Sequence, residues 1–358
     1  MVPRFGGGLL PIIRKKTMHF RKISVTGALL VGVAMFSAAV QAAELRVLTH
    51  SAFAIPKPLL EKFEADSGVK LLITKTGDAG EMLNKLILTR AAPVADVVFG
   101  IDNTLVGKAL TAQVLDPYKG PAATRVSSVT LPGPVVPVDY GYVSINYDKA
   151  WFAKNKLPLP KSLDDLTQAK YAKLLAVQNP ATSSTGNAFM LATIGAMGEE
   201  KAFAWWARMR SNGLKVAKGW SEAYYTEFSQ NGGAYPLVVS YATSPAAEMF
   251  YSNGKFTEPP TGSLTLPGAV FRQVEGVALV KGGVARLAAE KFIEFMRSGA
   301  VQQGLQTEMW MFPVEAGVAR ADAMRFAPEP ATNSSPSAQD IANKGGDWVS
   351  RWTKVVLK

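Results

Sequence analysis

Short apolar runs alternate with amphipathic segments over the first part of the chain that follows residue 42. Three runs rich in β-branched side chains predict buried strands over residues 44–49, 69–75 and 95–100. Between them, apolar side chains recur at helical spacing, which predicts helices over residues 56–67 and 79–90. Gly68 follows the first helix as its expected stop. This strand–helix alternation is typical of a parallel sheet flanked by helices.

A proline- and valine-rich stretch without helical period, residues 130–137, predicts an extended crossover to a second sheet. Strands of that sheet are predicted over residues 139–147, 174–178, 214–217 and 237–241. The pattern then predicts helices over residues 199–212, 286–298 and 340–356, and a strand over residues 270–280.

The order of these segments predicts an α/β fold of two lobes, each a mixed sheet flanked by helices. Residues 43–137 form the first part of lobe 1, residues 138–268 form lobe 2, and residues 269–358 return to lobe 1 and add a C-terminal helix. Such a chain has a hinge between the lobes and a cleft that suits ligand closure. A chain of this length can build two such cores.

The first 42 residues have the pattern of a secretory signal peptide. A basic head at residues 18–22 precedes an apolar run over residues 23–39, and small residues before Ala43 form a cleavage site near Ala42. Met18 offers an alternative start codon. We therefore expect an exported protein, and the absence of cysteine in the whole chain is compatible with a periplasmic location.

Composition excludes several function classes. The formal charge of +11 falls to +5 without residues 1–42, which carry six basic residues and no acid, so the charge does not indicate nucleic-acid binding. His50 is the single histidine after residue 42, which excludes a multi-histidine zinc site. No nucleophile elbow occurs. We expect no catalysis, no cofactor and no resident metal; a hydrolase is the least favoured alternative.

Two polar turns follow predicted strands and contain large aromatic residues. KGWSEAY at residues 218–224 includes Trp220, and SYATSPA at residues 240–246 includes Tyr241. The crevice beyond the carboxyl ends of the strands is where an open α/β sheet binds its ligand. Hydroxyl groups and free helix-start amides beside aromatic rings suit a small ligand with a flat ring and a polar end.

With these segments placed, the chain resembles the thiamine-binding subfamily of periplasmic solute-binding proteins, which serve ABC importers. The matching segments occur in the family order and extend over nearly all of residues 43–358. They are ADVVFGIDN (95–103), VDYGY (138–142), KGWSEAY (218–224), SYATSPA (240–246), QVEG (273–276) and WMFPV (310–314). The resemblance implies the type II periplasmic binding fold and a small-molecule ligand.

The resemblance also implies ligand contacts. Asp78 matches a carboxylate that faces the thiamine rings, although its position before a helix also fits a plain N-cap. Trp220, Tyr241 and Trp310 match aromatic contacts that can hold a flat cation, although each could be a core residue. In NPATSSTG (179–186), a hydroxyl-rich helix start can hold a phosphate through Ser183, Ser184 and Gly186. The remaining candidates for ligand contact are His50, Tyr224 and Asp102.

Three residues depart from the family pattern. His50 stands where the family has an aromatic contact, Ala247 stands where it has a tyrosine, and Ala181 replaces a frequent arginine of the phosphate turn. The cleft is therefore expected to have less stacking surface than the clefts of the family. Thiamine phosphates become harder to assign as ligands.

The predicted function is capture of thiamine or a thiamine phosphate by a periplasmic monomer that delivers it to the permease of an ABC importer. The alternative keeps the fold and changes the ligand to ferric iron, a polyamine or a phosphonate. Adjacent Tyr224 and Tyr225 would be the phenolate ligands of ferric iron.

Overall fold

The computed structural model describes residues 43–358, and the predicted signal peptide lies outside them. Its strands lie at β1 Ala43–Thr49, β2 Val69–Lys75, β3 Val97–Asp102, β4 Leu115–Asp116, β5 Val136–Asp148, β6 Leu175–Gln178, β7 Lys215–Ala217, β8 Leu237–Tyr241, β9 Thr261–Leu264, β10 Phe271–Val280 and β11 Phe312–Pro313. Within this part of the chain, no helix is both long and apolar enough to cross a membrane.

The helices of the same residues flank this sheet. They are α1 Lys57–Ser67, α2 Ala79–Leu88, α3 Val106–Thr111, α4 Pro121–Thr124, α5 Lys149–Asn155, α6 Leu163–Leu166, α7 Ala169–Ala172, α8 Ser184–Met197, α9 Glu199–Ser211, α10 Trp220–Glu222, α11 Ser244–Tyr251, α12 Arg286–Met296, α13 Gly299–Glu308 and α14 Ala338–Val356. A π-helix follows α10 at Ala223–Glu227, and 3₁₀ turns occupy Ser229–Asn231 and Asp322–Phe326.

One mixed sheet runs through the molecule in the order β2-β1-β3-β10-β5-β8-β6-β7. β1 pairs in parallel with β2 and β3, and β6 pairs in parallel with β7 and β8. Two long antiparallel strands, β5 and β10, join these two parallel ends. β10 also pairs with β3, and β5 also pairs with β8, so the central pair connects the two parallel parts of the sheet. This mixed α/β architecture confirms the predicted fold class, but the two predicted sheets are one continuous sheet, because β5 and β10 pair with strands of both lobes.

The buried apolar side chains form separate clusters at the two ends of the sheet. β1, β3, α2 and α12 supply the clusters of the first lobe, and β6, β8, α8 and α9 supply the large cluster of the second. The register of β10 on β5 shifts between Glu275 and Gly276, between these clusters. A bulge kinks a strand locally, so the sheet bends where the lobes meet. The exact lobe boundaries remain a prediction.

Most predicted elements are present, with shifts of a few residues at their ends. The largest differences concern helices. The helix predicted over residues 286–298 ends at Met296. A second helix, α13, follows it because the Ser298 hydroxyl accepts a hydrogen bond from the Val301 amide and caps a new helix. The body of α8 had no predicted range, because this helix is buried on every side and lacks an amphipathic stripe.

The C-terminal helix α14 packs its apolar face into the second-lobe cluster. Trp352 is fully buried there, with its ring centroid 5.4 Å from that of Trp206. We expect Trp352→Ala to lower the free energy of unfolding by about 3–5 kcal/mol, because truncation leaves a cavity in a close-packed core. Urea unfolding measures this loss. Lys354→Gln on the exposed side of the same helix is the matched control, and an equal loss in both variants would contradict the packing argument.

Candidate functional site

A cavity of about 800 Å³ opens where several strands end. Its walls include residues that follow β1, β2, β7 and β8, together with Glu275 of β10 and Trp310 after α13. Parallel strands present their carboxyl ends at one edge of a sheet, and ligands of open α/β folds bind beyond that edge. Seven of the ten predicted site residues line this cavity: Asp78, Trp220, Tyr241, Trp310, Ser184, His50 and Tyr224.

Trp220 begins the short helix α10 and forms one wall. Its ring stacks on that of Tyr224 with centroids 5.1 Å apart and planes 13° apart. Its Nε1 donates to the Ser240 hydroxyl at 2.8 Å, which fixes the orientation of the indole. An indole face held in this way is ready to stack on a flat cation without further ordering.

Asp78 caps α2 and also reaches across the cavity to the second lobe. Its Oδ1 accepts from the Ala79 amide at 2.7 Å, and its Oδ2 accepts from the Trp220 amide at 3.0 Å. Glu81 on the same helix pairs with Lys218 at 2.8 Å. A side chain at Gly80 would lie 2.7 Å from the Thr182 carbonyl, so glycine permits the lobes to approach here. Asp78 is therefore both a cap and an interlobe contact.

Trp310 forms the rim on the opposite side. It lies two residues after the end of α13 and has a φ of 59°, a left-handed conformation that costs about 1–2 kcal/mol for a residue with a Cβ. Its ring lies 5.3 Å from that of Phe250 and 5.7 Å from that of Tyr251, centroid to centroid. The Tyr251 hydroxyl donates to the Thr307 carbonyl at 3.3 Å. This strained tryptophan thus joins an aromatic rim across both lobes.

The hydroxyl-rich start of α8 divides into lining and supporting residues. Ser184 and Thr185 line the cavity. Ser183 is fully buried as the N-cap, and its hydroxyl accepts from the Gly186 amide at 3.3 Å. A Cβ at Gly186 would lie 2.4 Å from the Gln178 carbonyl oxygen, so this glycine permits close packing of helix on strand. Neither Ser183 nor Gly186 lines the cavity.

Asp102 lies beneath the cavity floor and does not line it. Its Oδ1 accepts from the amides of Thr104 and Leu105, at 2.9 and 3.0 Å. The amide of Gln273 donates to its other oxygen. Burial raises the pKa of Asp102 to about 7, against the lowering effect of these hydrogen bonds.

His50 and Glu275 form the floor, with Nε2 of His50 3.4 Å from Oε1 of Glu275. Both side chains are almost completely buried. A Cβ at Gly100 would lie 2.4 Å from Cδ2 of His50, so glycine at this position makes room for the imidazole. The sequence reasoning did not single out Glu275, although it quoted the segment QVEG that contains it.

Gln273 and Glu248 are two further polar residues that the sequence reasoning missed. Gln273 accepts from the Tyr241 hydroxyl at 2.7 Å and donates to the Ser184 hydroxyl at 3.0 Å, so it positions two lining residues. Glu248 lines the cavity and accepts from the Tyr224 hydroxyl at 2.5 Å. Burial raises the pKa of Glu248. The quoted segment QVEG was the available signal for Gln273.

The cavity lining carries more acidic than basic side chains. Its carboxylates are Asp78, Glu81, Glu222, Glu248, Glu275 and Glu308, and its lysines are Lys218 and Lys255. Lys218 is already paired with Glu81. A concave site with this imbalance attracts cations.

Ala247 of α11 lines the cavity, as do Tyr225, Glu248, Lys255 and Phe256. The departure noted in the sequence therefore places a small side chain on the cavity wall.

Comparisons with known proteins place the chain in a family. Residues 92–344 match the family described as bacterial extracellular solute-binding protein. The thiamine-binding periplasmic protein of Salmonella typhimurium is 33% identical over 326 residues, which cover 88% of this chain and 94% of that protein. The corresponding Escherichia coli protein is 32% identical over 330 residues, with the same coverage.

The fold also matches a solved structure of a periplasmic thiamin binding protein. The TM-score is 0.77 at 30% sequence identity, and the match covers 87% of this chain and 96% of the solved one. The chain belongs to the bacterial extracellular solute-binding protein family.

Proposed function

We propose that this protein captures thiamine in the cavity between its lobes. The observation that carries the proposal is the arrangement of Trp220 and Asp78. The indole of Trp220 is held in one orientation, and the Asp78 carboxylate accepts a hydrogen bond from the Trp220 backbone amide. Thiamine has a flat thiazolium ring with a permanent positive charge. Such a ring can stack on Trp220 and be attracted by the acidic lining, and both interactions are stronger in a partly dry cavity.

Delivery to the permease of an ABC importer is the second part of the proposal. The named relatives are periplasmic thiamine-binding proteins, and residues 1–42 have the pattern of a signal peptide. The protein acts as an exported monomer that closes on its ligand. Contacts of Asp78 with Trp220, and of Tyr251 with Thr307, bridge the lobes. A ligand that contacts both walls favours this closed state over an open one.

Ferric iron is the alternative ligand for the same fold, and the surroundings of Tyr224 disfavour it. An iron site would need Tyr224 and Tyr225 as phenolates. The Tyr224 hydroxyl donates to Glu248, and burial raises its pKa well above the ordinary value. Binding, without a catalytic step, is the proposed activity.

The thiamine phosphates have weaker support than the free vitamin. The start of α8 offers Ser184 and Thr185 to the cavity, but Ala181 brings no positive charge. The lining is acidic, and Lys218 is engaged by Glu81. We therefore expect the free vitamin to bind more tightly than its diphosphate.

Calorimetric titration tests the proposal directly. The purified protein is unfolded and refolded to remove any bound ligand, and is then titrated with thiamine, thiamine diphosphate, spermidine and ferric citrate. We expect a one-to-one heat with thiamine in the micromolar range or tighter. No heat with thiamine, from a protein that still unfolds cooperatively, would refute the proposed ligand. A saturable heat with ferric citrate would then favour the alternative.

Ala247→Tyr should strengthen thiamine binding by about 0.5–1.5 kcal/mol, roughly two- to tenfold in Kd, because it restores an aromatic ring beside the ligand. Ala247→Leu adds bulk without a stacking face and is the matched control. Titration of both variants measures the effect. Weaker binding in both variants would instead mean that the ligand occupies the space next to Ala247.

A further inference from the structure

Three buried carboxyl groups lie in one row across the centre of the sheet. In the strand register, Glu275 of β10 stands opposite Asp102 of β3 on one side and opposite Asp139 of β5 on the other. Asp102 and Asp139 are fully buried and Glu275 is 4% exposed. Like charges directly opposite in a sheet repel one another. The row therefore has to hold protons or a counter-cation.

His50 lies where such a counter-cation would be. Its Nε2 lies 3.4 Å from Glu275, and it is the group with which Glu275 forms an ion pair within 4 Å. Nε2 is buried at the cavity floor and has no hydrogen-bond partner of good geometry. Burial alone lowers the pKa of His50. The charges of Glu275, Asp78 and Asp102 outweigh this and raise it above the ordinary value.

Asp139 keeps the charge of the row low. Neither of its carboxyl oxygens has a hydrogen-bond partner within the described residues. Burial, together with the neighbouring Glu275 carboxylate, raises the pKa of Asp139 well above its usual range. An ionised carboxylate without partners in a dry site is costly, so the site favours the neutral acid form of Asp139. Glu275 is then the carboxylate that the positive charge of His50 balances.

A cationic ligand in this cavity would compete with His50 for the same carboxylate. The other acids that act on His50 are Asp78 at the start of α2 and Asp102 on β3. Tyr241 of β8 faces the same acids. The cavity lysines are Lys218, already paired with Glu81, and the exposed Lys255. Two adjacent positive charges, the ligand and the imidazolium, would repel each other across a few ångströms of low-dielectric space.

We propose that His50 is an internal counter-cation of Glu275 that releases its proton to solvent when a cationic ligand binds, so that one cation is exchanged for one proton. This inference rests on the proposed function. It adds that the pair of His50 and Glu275 makes the cavity select a cationic ligand. The exchange keeps the charge of the floor constant, which removes the penalty of leaving Glu275 unpaired in the empty protein.

The exchange gives the affinity a defined pH dependence. The free protein holds the His50 proton more tightly than the complex does, because the bound cation lowers the pKa of the imidazole. Affinity for the cation therefore rises with pH between the two pKa values of His50, by up to about tenfold per pH unit for one proton. It levels off above the pKa of the free protein, where no proton remains to be displaced.

Titration calorimetry in two buffers counts the protons. Thiamine binding is measured at one pH near 6.5 in phosphate and in ACES, which both buffer at this pH and differ in their heats of ionisation. We expect thiamine to release up to one proton. Deazathiamine, the neutral isostere in which carbon replaces the quaternary ring nitrogen, should release far less. Thiamine binding with the same heat in both buffers would overturn the exchange and leave the proposed ligand intact. No thiamine binding at all would overturn both.

Two variants identify the group that loses the proton. His50→Phe, of similar ring size, and Glu275→Gln, which removes the anion that His50 balances, should each abolish the buffer dependence. Glu61→Gln, which removes an exposed carboxylate of α1 outside the cavity lining, is the matched control and should keep it. Proton release that persists in His50→Phe would assign the proton to another group and refute the role of His50.

Nuclear magnetic resonance provides a readout that does not depend on binding heats. The chain has two histidines, and His50 is the one within residues 43–358. Its imidazole signal is assigned by its absence from His50→Phe. The midpoint of its titration should lie above about 6.5 in the free protein and move downward by a unit or more with saturating thiamine. An unchanged midpoint would contradict the proposal.

Discussion

Trp220→Ala should weaken thiamine binding by about 2 kcal/mol, roughly 30-fold in Kd, and leave the fold intact. The indole is oriented before the ligand arrives, by its bond to Ser240 and its stacking on Tyr224. Alanine removes the stacking face and the cation–π attraction together. The backbone amide that donates to Asp78 remains, so the interlobe contact persists.

Trp151→Ala is the matched control for this variant. Trp151 is also half-buried, but it packs against the second-lobe cluster and does not line the cavity. Calorimetric titration and urea unfolding are measured for both proteins. The expected pattern is a lower affinity in Trp220→Ala alone, with modest stability losses in both. Equal affinities in the two variants would remove Trp220 from the binding site.

The fold was predictable because its signals are local. Buried parallel strands such as β3 are continuous apolar runs. Helices such as α2 begin at a capping residue and have apolar side chains along one face. Helix α8 was not predicted in full, because its side chains from Ser184 to Ile194 are all buried and show no amphipathic period. The pairing of β5 with β10 could not be predicted from the sequence either, because the two strands are far apart in the chain.

The candidate site was predictable only in part. Aromatic residues in polar turns, such as Trp220, stood out because their surroundings are unlike a core. Ser183 and Gly186 share a motif with Ser184, but helix geometry turns them toward the cap and the strand. Glu275 had no local signal: its significance comes from its strand neighbours Asp102 and Asp139, which are distant in sequence. Such clusters depend on the register between strands, which the composition of the chain does not reveal.

Asp78→Asn should weaken thiamine binding by about 1.5–3 kcal/mol, roughly tenfold to more than a hundredfold in Kd. Two separate losses contribute. The carboxylate charge that attracts the cation disappears, and an amide NH₂ in place of Oδ2 could no longer accept from the Trp220 amide. Asn can still cap α2 through its remaining oxygen, so the helix should not unravel.

Comparison of thiamine with deazathiamine separates the two losses. The interlobe contact acts on both ligands equally, whereas the charge acts only on thiamine. If Asp78 attracts the cation, Asp78→Asn should reduce the affinity for thiamine several-fold more than that for the neutral isostere. Asp165→Asn, at a helix start outside the cavity lining, should change neither. Equal reductions for both ligands would mean that Asp78 acts through closure alone, and the ligand's charge would then be recognised mainly by the other acids of the lining.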